Sequence, residues 1–365
     1  MAESSKPLLT LAVCSYNQER FVKEAVEAAF AQTYSPLEII LTDDCSKDRT
    51  FEIMQQMAAA YRGPHKVVLN RNPSNFGLGK HLNRLIELVH GEFLVVAAAD
   101  DVSLPTRVEV MHDAWERSNR KAHAIQCGTI DIDDEGNLLG GKDAEASTMP
   151  LEITEKRPVL DDYVRTLKPG IFGCALGYDP EMFATFGKVP DALIHEDNVI
   201  ALRAFLLGPM HFVNLPLLKR RIHGNNIFSR VHERATTDEA VARQEARFVR
   251  DARNRMVLYE AFQADLRVAR EKGLINQDQY LDLEKDCARI HRLFACQSEY
   301  PAASLARKMA ILFTAWRSRA DSYFIKWMIP RLLPGRTFQW TKVRLNSLRT
   351  SFAGRLAPDA QKRWT

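Results

Sequence analysis

Hydrophobic and polar positions fall in alternating blocks along the first hundred residues, and the blocks switch between a strand period and a helix period. Leu8 to Cys14 (L-L-T-L-A-V-C) is an apolar run of strand length, broken by Ser15-Tyr16-Asn17. Phe21, Val22, Ala25, Val26, Ala29 and Phe30 then share one face of a helix that stops before Pro36. Glu38 to Thr42 predicts a second strand, Met54, Met57, Ala58 and Tyr61 a second helix, and Lys66 to Asn70 a third strand. Beyond the loop Asn72 to Gly77, Leu82, Leu85, Ile86 and Val89 form another stripe. The uncharged run Phe93 to Ala99 is a fourth strand of the buried, parallel kind. Strict alternation of this sort predicts an α/β fold, a mostly parallel Rossmann-like sheet with helices on both faces.

The pattern loosens after that. A helix from Pro105 to about Ser118 leads to a strand over His123 to Gly128, and Ile130 to Leu138 reads as a hairpin with a Gly136 turn. Asp131 and Asp133 alternate outward there, as on a solvated face. Gly140 to Lys156 is polar and reads as a loop over the cleft. Pro169 to Tyr178 is rich in glycine, which suits either a close backbone approach to a ligand or a strand bulge. A short helix over Pro180 to Phe186 precedes Ile194-His195-Glu196-Asp197-Asn198, which opens a helix burying Ile200, Ala201, Ala204, Phe205 and Leu206. His211 to Ile222 closes the domain as a strand interrupted at Pro216. From residue 231 onward the periodicity is helical, over Glu233 to Ala269 and Gln277 to Phe294, with Gly273 as the break. Two parts follow: residues 1–230, split near 105 into halves, and a helical C-terminal appendage over residues 231–365.

Charge changes the picture only at the end of the chain. The net charge is +4, yet Ala302 to Thr365 holds 13 Lys and Arg against Asp321 and Asp359 alone. That segment also carries Trp316, Phe324, Trp327, Phe338, Trp340, Phe352 and Trp364. Ser304 to Arg319 and Tyr323 to Leu333 could lie in a membrane interface with their aromatics inward, so an anionic membrane surface is the expected partner. No nucleic-acid module is recognisable, and no nucleic acid is expected. The six cysteines form no C-x-x-C pair, which excludes the usual zinc spacings and points to reduced, cytoplasmic thiols. No uncharged run approaches the ~20 residues of a membrane span.

The chemistry collects at strand ends. An open parallel sheet presents them along one edge, where ligands bind, so Tyr16, Asp44, Asn75 and Asp100 should converge. Neither G-x-G-x-x-G nor G-x-x-x-x-G-K-[ST] occurs at these turns, which argues against dinucleotide dehydrogenases and P-loop enzymes. Acids stand there instead, and hard oxygen ligands suit Mg²⁺ or Mn²⁺ holding a polyphosphate. Taken singly, each acid reads as a turn former or helix cap.

Taken in order, V-C-S-Y-N-Q-E-R-F-V, I-I-L-T-D-D-C-S-K-D-R-T, N-F-G-L-G-K-H-L-N and A-A-A-D-D-V-S-L-P-T-R resemble family 2 glycosyltransferases of the GT-A fold, as far as about His223. The resemblance implies a nucleotide-sugar half over residues 1–105 and an acceptor half over 106–230. In it Asp44 would read the uracil N3–H, Tyr16 and the Asn17–Glu19 turn would wall the base and ribose, and Ser15 and Asp43 would belong to the same donor nucleotide site. Asn75 and Lys80 would lie on the nucleotide side. Asp100 would ligate the metal and Asp101 would follow it, while Ala98 replaces the first acid of the usual D-x-D. Asp197 would be the general base, with Glu196 beside it, and Arg221 and His223 would face the departing diphosphate.

The function implied is a metal-dependent inverting transfer from a UDP-sugar, with dTDP-sugar second, to a glycan or lipid-linked acceptor. Surface polysaccharide or glycolipid synthesis in the cytoplasm or on the inner membrane face is the setting expected. Ala98 leaves open an alternative, a nucleotide-binding pseudoenzyme that scaffolds a membrane assembly. A nucleotidyltransferase would need a Gly-rich N-terminal phosphate loop, which is missing.

Overall fold

The computed structural model describes residues 6–139, 151–156, 158–224, 238–317 and 332. Its first hundred residues follow the alternation seen in the sequence. Strand β1 (Leu9–Ser15), helix α1 (Val22–Phe30), β2 (Leu37–Asp43), α2 (Thr50–Ala60), β3 (Lys66–Arg71), α3 (Gly77–Ile86) and β4 (Leu94–Ala98) succeed one another. The strands pair in parallel in the order β3-β2-β1-β4, with Leu11 opposite both Ile39 and Val95. Residues in β1 and β2 are buried nearly throughout, because a parallel sheet is covered on both faces. Leu11, Val13, Ile39, Leu41 and Val95 join Val22, Val26, Val108 and Trp115 in one apolar core.

The second half of the sheet is mixed. After β5 (Val102–Ser103) and α4 (Arg107–Arg117) come β6 (Ala124–Ile132), β7 (Ile153–Lys156) and α5 (Leu160–Thr166). Then follow β8 (Leu176–Tyr178), α6 (Met182–Phe186), α7 (Glu196–Leu207) and β9 (Met210–Arg221). Three-residue β8 slips antiparallel between β4 and β6, and β9 runs parallel to β6. Gly177 makes this close approach feasible, since a Cβ there would lie 2.5 Å from the Phe93 ring. A bulge accommodates Pro216 in β9. The register shifts at Gly128, where a Cβ would meet the Leu215 carbonyl at 2.8 Å.

The hairpin expected over Ile130 to Leu138 is present: its first arm is the end of β6, which stays paired with β9 as far as Ile132↔Arg221, and its turn holds Gly136 at φ 87°. The returning arm makes one bridge, Ile132↔Leu138. The expected loop Gly140 to Lys156 ends in a strand, β7, antiparallel to β9, while residues 140–150 lie outside the described residues.

Helices α8 (Asp238–Glu271) and α9 (Gln277–Glu299) match the helical periodicity, with Gly273 at φ 70° between them. The chain divides into two compact units, residues 1–229 with 257–287, and residues 230–256 with 288–365. Residues 257–287 therefore fold with the sheet domain. Asp265 on α8 takes the guanidinium of Arg203 on α7 at 2.8 and 3.0 Å, a buried pair. Tyr259 donates to the Val164 carbonyl at 2.8 Å, and Asp286 pairs with Arg165 at 2.6 Å. In the second unit, α10 (Leu305–Arg317) follows a short turn and buries Ile311 and Ala315 against Tyr300. The expected segment Tyr323 to Leu333 lies, but for residue 332, outside the described residues.

Candidate active site

The carboxyl ends of β1, β2 and β4 lie side by side. Backbone N–H groups of Asp44 and Ala99 donate to the carbonyls of Ser15 and Cys14, both at 2.9 Å, and so align the three strand ends. The turn after β1 is laced to the turn after β2. Asn17 N–H donates to Ser46 Oγ, Gln18 N–H to Thr50 Oγ1 and Glu19 N–H to Asp48 Oδ2 at 2.8, 2.7 and 3.1 Å. In return Asn17 Oδ1 accepts from Lys47 N–H at 2.8 Å, and Glu19 Oε2 from Arg49 N–H at 3.0 Å. Asn17 and Cys45 adopt left-handed backbones, φ 53° and 62°, which fold both turns tightly. Tyr16 is left presented at the surface, 38% exposed.

Asp44 is buried and accepts three hydrogen bonds at 2.8 Å: Asn72 Nδ2 and Phe76 N–H on one oxygen, Gly77 N–H on the other. It thereby fixes the loop over residues 72–77 and sits at the N-terminus of α3, where a negative charge is favoured. An ionised carboxylate has about four acceptor positions, so one remains. Asn75 is exposed and accepts from Gly77 N–H, and the Lys80 ammonium sits 4.2 Å over the Phe76 ring. Asp43 and Ser15 lie underneath. Asp43 is fully buried and holds Ser15, Ser46 and, at 3.6 Å, Arg71, so both residues support the turn from below.

Asp100 closes β4, and its Oδ2 lies 3.0 Å from His223 Nε2 and 3.4 Å from Gln18 Nε2. His223 packs its ring on Phe21, centroids 5.1 Å apart. Here the sequence expectation for two residues is corrected. Arg221 is buried and its guanidinium acts as a clasp inside the fold. Its Nε donates to the Asp100 carbonyl at 3.0 Å, Nη1 to the carbonyls of Asp133 and Asp134 at 3.0 and 2.9 Å, and Nη2 to Glu24 at 2.6 Å. Asp101 is also turned inward, taking the Arg221 N–H at 2.8 Å and the Cys174 thiol. Burial, then the neighbouring Asp100 charge, pushes its pKa up to about 7. A guanidinium with three backbone carbonyls within reach is satisfied internally, and the K-R-R string contains no sign of that.

Glu196 and Asp197 open α7 beside Gly173, where a Cβ would lie 3.0 Å from Glu196 Oε1. Burial and then the charge of Asp197 push Glu196 up to about 8. Burial also raises Asp197 to about 6, against hydrogen bonds from Asn198 N–H and Nδ2, each 2.8 Å from its Oδ1. Glu196 and Asp44 both act electrostatically on the Cys14 thiol, which burial above all pushes up to about 12. The acid pair lies beside Gly173, and the Cys174 carbonyl next to it is joined through Arg107 to the Val96 carbonyl of β4, so the pair lies near the end of that strand. Arg107 braces it: fully buried, it donates to the carbonyls of Val96 and Cys174 at 2.8 and 2.7 Å. A cavity of about 420 Å³ opens alongside, lined by Asn17, Gln18, Glu19, Asp48, Asp134 and His223 among others. Asp48 and Asp134 escaped the sequence reading because turn polars carry no period.

The sequence between β1 and β8 carries the likeness to known proteins: residues 10–178 match the profile of glycosyl transferase family 2. An uncharacterized glycosyltransferase of Rickettsia conorii is 30% identical over 217 residues, covering 59% of this chain and 34% of its own length. Chondroitin synthase of Escherichia coli is 25% identical over 222 residues, 60% of this chain and 30% of the synthase. This chain thus spans about a third of the length of either relative. Among solved structures, residues 1–349 of S. aureus TarS share the fold, with a TM-score of 0.52 and 15% identity, over 96% of this chain and 92% of that one.

Proposed function

We propose that this chain is a metal-dependent inverting glycosyltransferase, moving a sugar from a UDP-sugar to a hydroxyl of a glycan or lipid-linked acceptor, with a dTDP-sugar the second choice of donor. The observation that carries the reading is the Asp100–His223 pair at the end of a parallel strand, 3.0 Å apart, with the Glu196–Asp197 pair near the end of that strand. Supporting it, the TarS fragment of the same fold has been crystallised with UDP.

The donor set fits Mg²⁺ or Mn²⁺. Among the described residues no group of three or more His, Cys, Asp and Glu side chains could hold a metal. Mg²⁺, however, is commonly held by one or two protein ligands plus substrate phosphates and water, at about 2.1 Å in octahedral geometry. Asp100 and His223, 3.0 Å apart, are the side chains that would hold it. Bound there, the ion would supply Lewis-acid stabilisation of the diphosphate leaving group.

The remaining steps belong to the chain. Tyr16 offers an exposed ring to the base, and the remaining acceptor position of Asp44 suits the uracil N3–H. Asp197 takes the acceptor hydroxyl proton while that oxygen attacks the anomeric carbon opposite the diphosphate. The bond from the anomeric carbon to the diphosphate oxygen breaks and the nucleotide leaves with the electron pair. With a pKa near 6, Asp197 is ionised at neutral pH yet more basic than an ordinary carboxylate. Glu196, at about 8, stays protonated and does not oppose that charge.

The test is nucleotide release from a panel of UDP- and dTDP-sugars with Mn²⁺, in wild type and Asp197→Asn. Release that requires Asp197 supports the transferase. Tight nucleotide binding with no release from any donor would leave the scaffold reading standing instead.

A further inference from the structure

Three donors hold Asp44, and the way they divide between its two oxygens decides what it can still accept. Oδ1 takes Asn72 Nδ2 and Phe76 N–H, each at 2.8 Å, so both of its acceptor positions are filled. Among the described residues, Oδ2 takes Gly77 N–H alone, at 2.8 Å. The open position is therefore on Oδ2, and it is Asn72 that closes the second position of Oδ1.

Asn72 is itself held for this contact. It is buried, and its backbone N–H donates to the Asp43 carbonyl at 2.9 Å. Its Oδ1 accepts from Asn70 Nδ2 at 3.2 Å, which turns its own Nδ2 toward Asp44. Asn70 Nδ2 also donates to Thr42 Oγ1 at 2.9 Å, and that hydroxyl lies 2.7 Å from His81 Nε2. A chain of polar side chains thus runs from α3 through the ends of β2 and β3 to one oxygen of Asp44. A base read by this carboxylate has to bring its N–H to Oδ2. Uracil and thymine present a single ring N–H between two carbonyl oxygens, which fits one open position. Guanine presents a ring N–H and an amino N–H side by side, and a single acceptor leaves the second without a partner.

We propose that Asn72 is a specificity-determining residue of the donor site: by filling Oδ1 it limits Asp44 to a base with a single ring N–H. The proposal rests on the donor-site reading above. It is tested by equilibrium binding of UDP, N3-methyl-UDP and GDP with Mn²⁺ to wild type, Asn72→Ala and Asn70→Ala. The last variant removes the bond that sets the Asn72 amide and carries the same readout if Asn72→Ala does not fold. Wild type should prefer UDP to each of the other two by about tenfold or more, because N3-methyl-UDP brings no N–H and GDP one too many. In Asn72→Ala UDP should weaken and both preferences should shrink by about threefold or more, and Asn70→Ala should shrink them by less. A residue that only held the loop would weaken all three nucleotides together. Preferences unchanged in both variants would therefore overturn the proposal, as would a wild type that binds GDP or N3-methyl-UDP as tightly as UDP. Binding of none of the three nucleotides would defeat the donor-site reading and the proposal with it.

Discussion

Arg221 distinguishes two accounts of the site, because a residue that meets the diphosphate and a residue that clasps the fold respond differently to the same change. In Arg221→Met the apolar side chain fills most of the space and donates nothing. The change removes bonds to the carbonyls of Asp100, Asp133 and Asp134 and the ion pair to Glu24. The Glu24 side chain is 55% exposed, so its pair adds less than about 1 kcal/mol. Buried acceptors left without a partner cost about 1–3 kcal/mol each, and water can reach the surface turn at residues 133 and 134 more easily than Asp100. The expected loss is about 3–5 kcal/mol, in the range for breaking a buried charged cluster. Arg221→Lys should recover little of it, because one ammonium cannot span the fork. The assay is urea denaturation followed by tryptophan fluorescence, with calorimetric UDP titration of the folded variants. A large fall in urea midpoint with a modest loss of UDP affinity is expected. An unchanged midpoint with UDP affinity down about 100-fold, restored by lysine, would refute the clasp and return Arg221 to the phosphate.

Other consequences follow from the same geometry. Asp197→Asn should lower turnover about 10²–10⁴-fold while UDP binding, measured by calorimetry, is kept; the wild-type rate should fall as pH drops through about 6 and the base is protonated. Glu196 and Asp197 have folded pKa values raised above the ordinary carboxylate range, so between about pH 4 and 8 the folded state holds protons the unfolded state has lost, and this contribution to stability disappears as pH rises. Glu196→Gln should therefore lose less melting temperature than wild type between about pH 5 and pH 9, and parallel pH profiles would count against burial of that charge. Gly79→Ala on α3 should cost about 1–3 kcal/mol in thermal unfolding, since its Cβ would stand 2.3 Å from the Pro190 carbonyl oxygen.

The parallel half of the fold was legible because each strand and helix there carries its own period. Asp44 and Asp100 could be placed at the sheet edge from strand ends alone. Other features depend on partners far away in the chain. β8 has three residues and a glycine, too few for a period, and its place between β4 and β6 depends on Phe93 and Met111 making room for Gly177. The inward turn of Arg221 requires Glu24 and two carbonyls of a turn that the sequence suggested only as part of a hairpin. Asp43 and Asp44 are neighbours with the same side chain, yet strand alternation sends one under the turn and the other to the loop over residues 72–77. The raised pKa values of Glu196 and Asp197 come from burial that only the assembled domain provides.

The central claim is that the strand-end site holds a metal-bound nucleoside diphosphate, and UDP titration with and without Mn²⁺ tests it most directly. The wild type should bind UDP in a Mn²⁺-dependent way, and Asp100→Ala and His223→Ala should each weaken that binding about tenfold or more. Binding of equal strength without Mn²⁺ and in both variants, or no binding of UDP or dTDP under any condition, would contradict it.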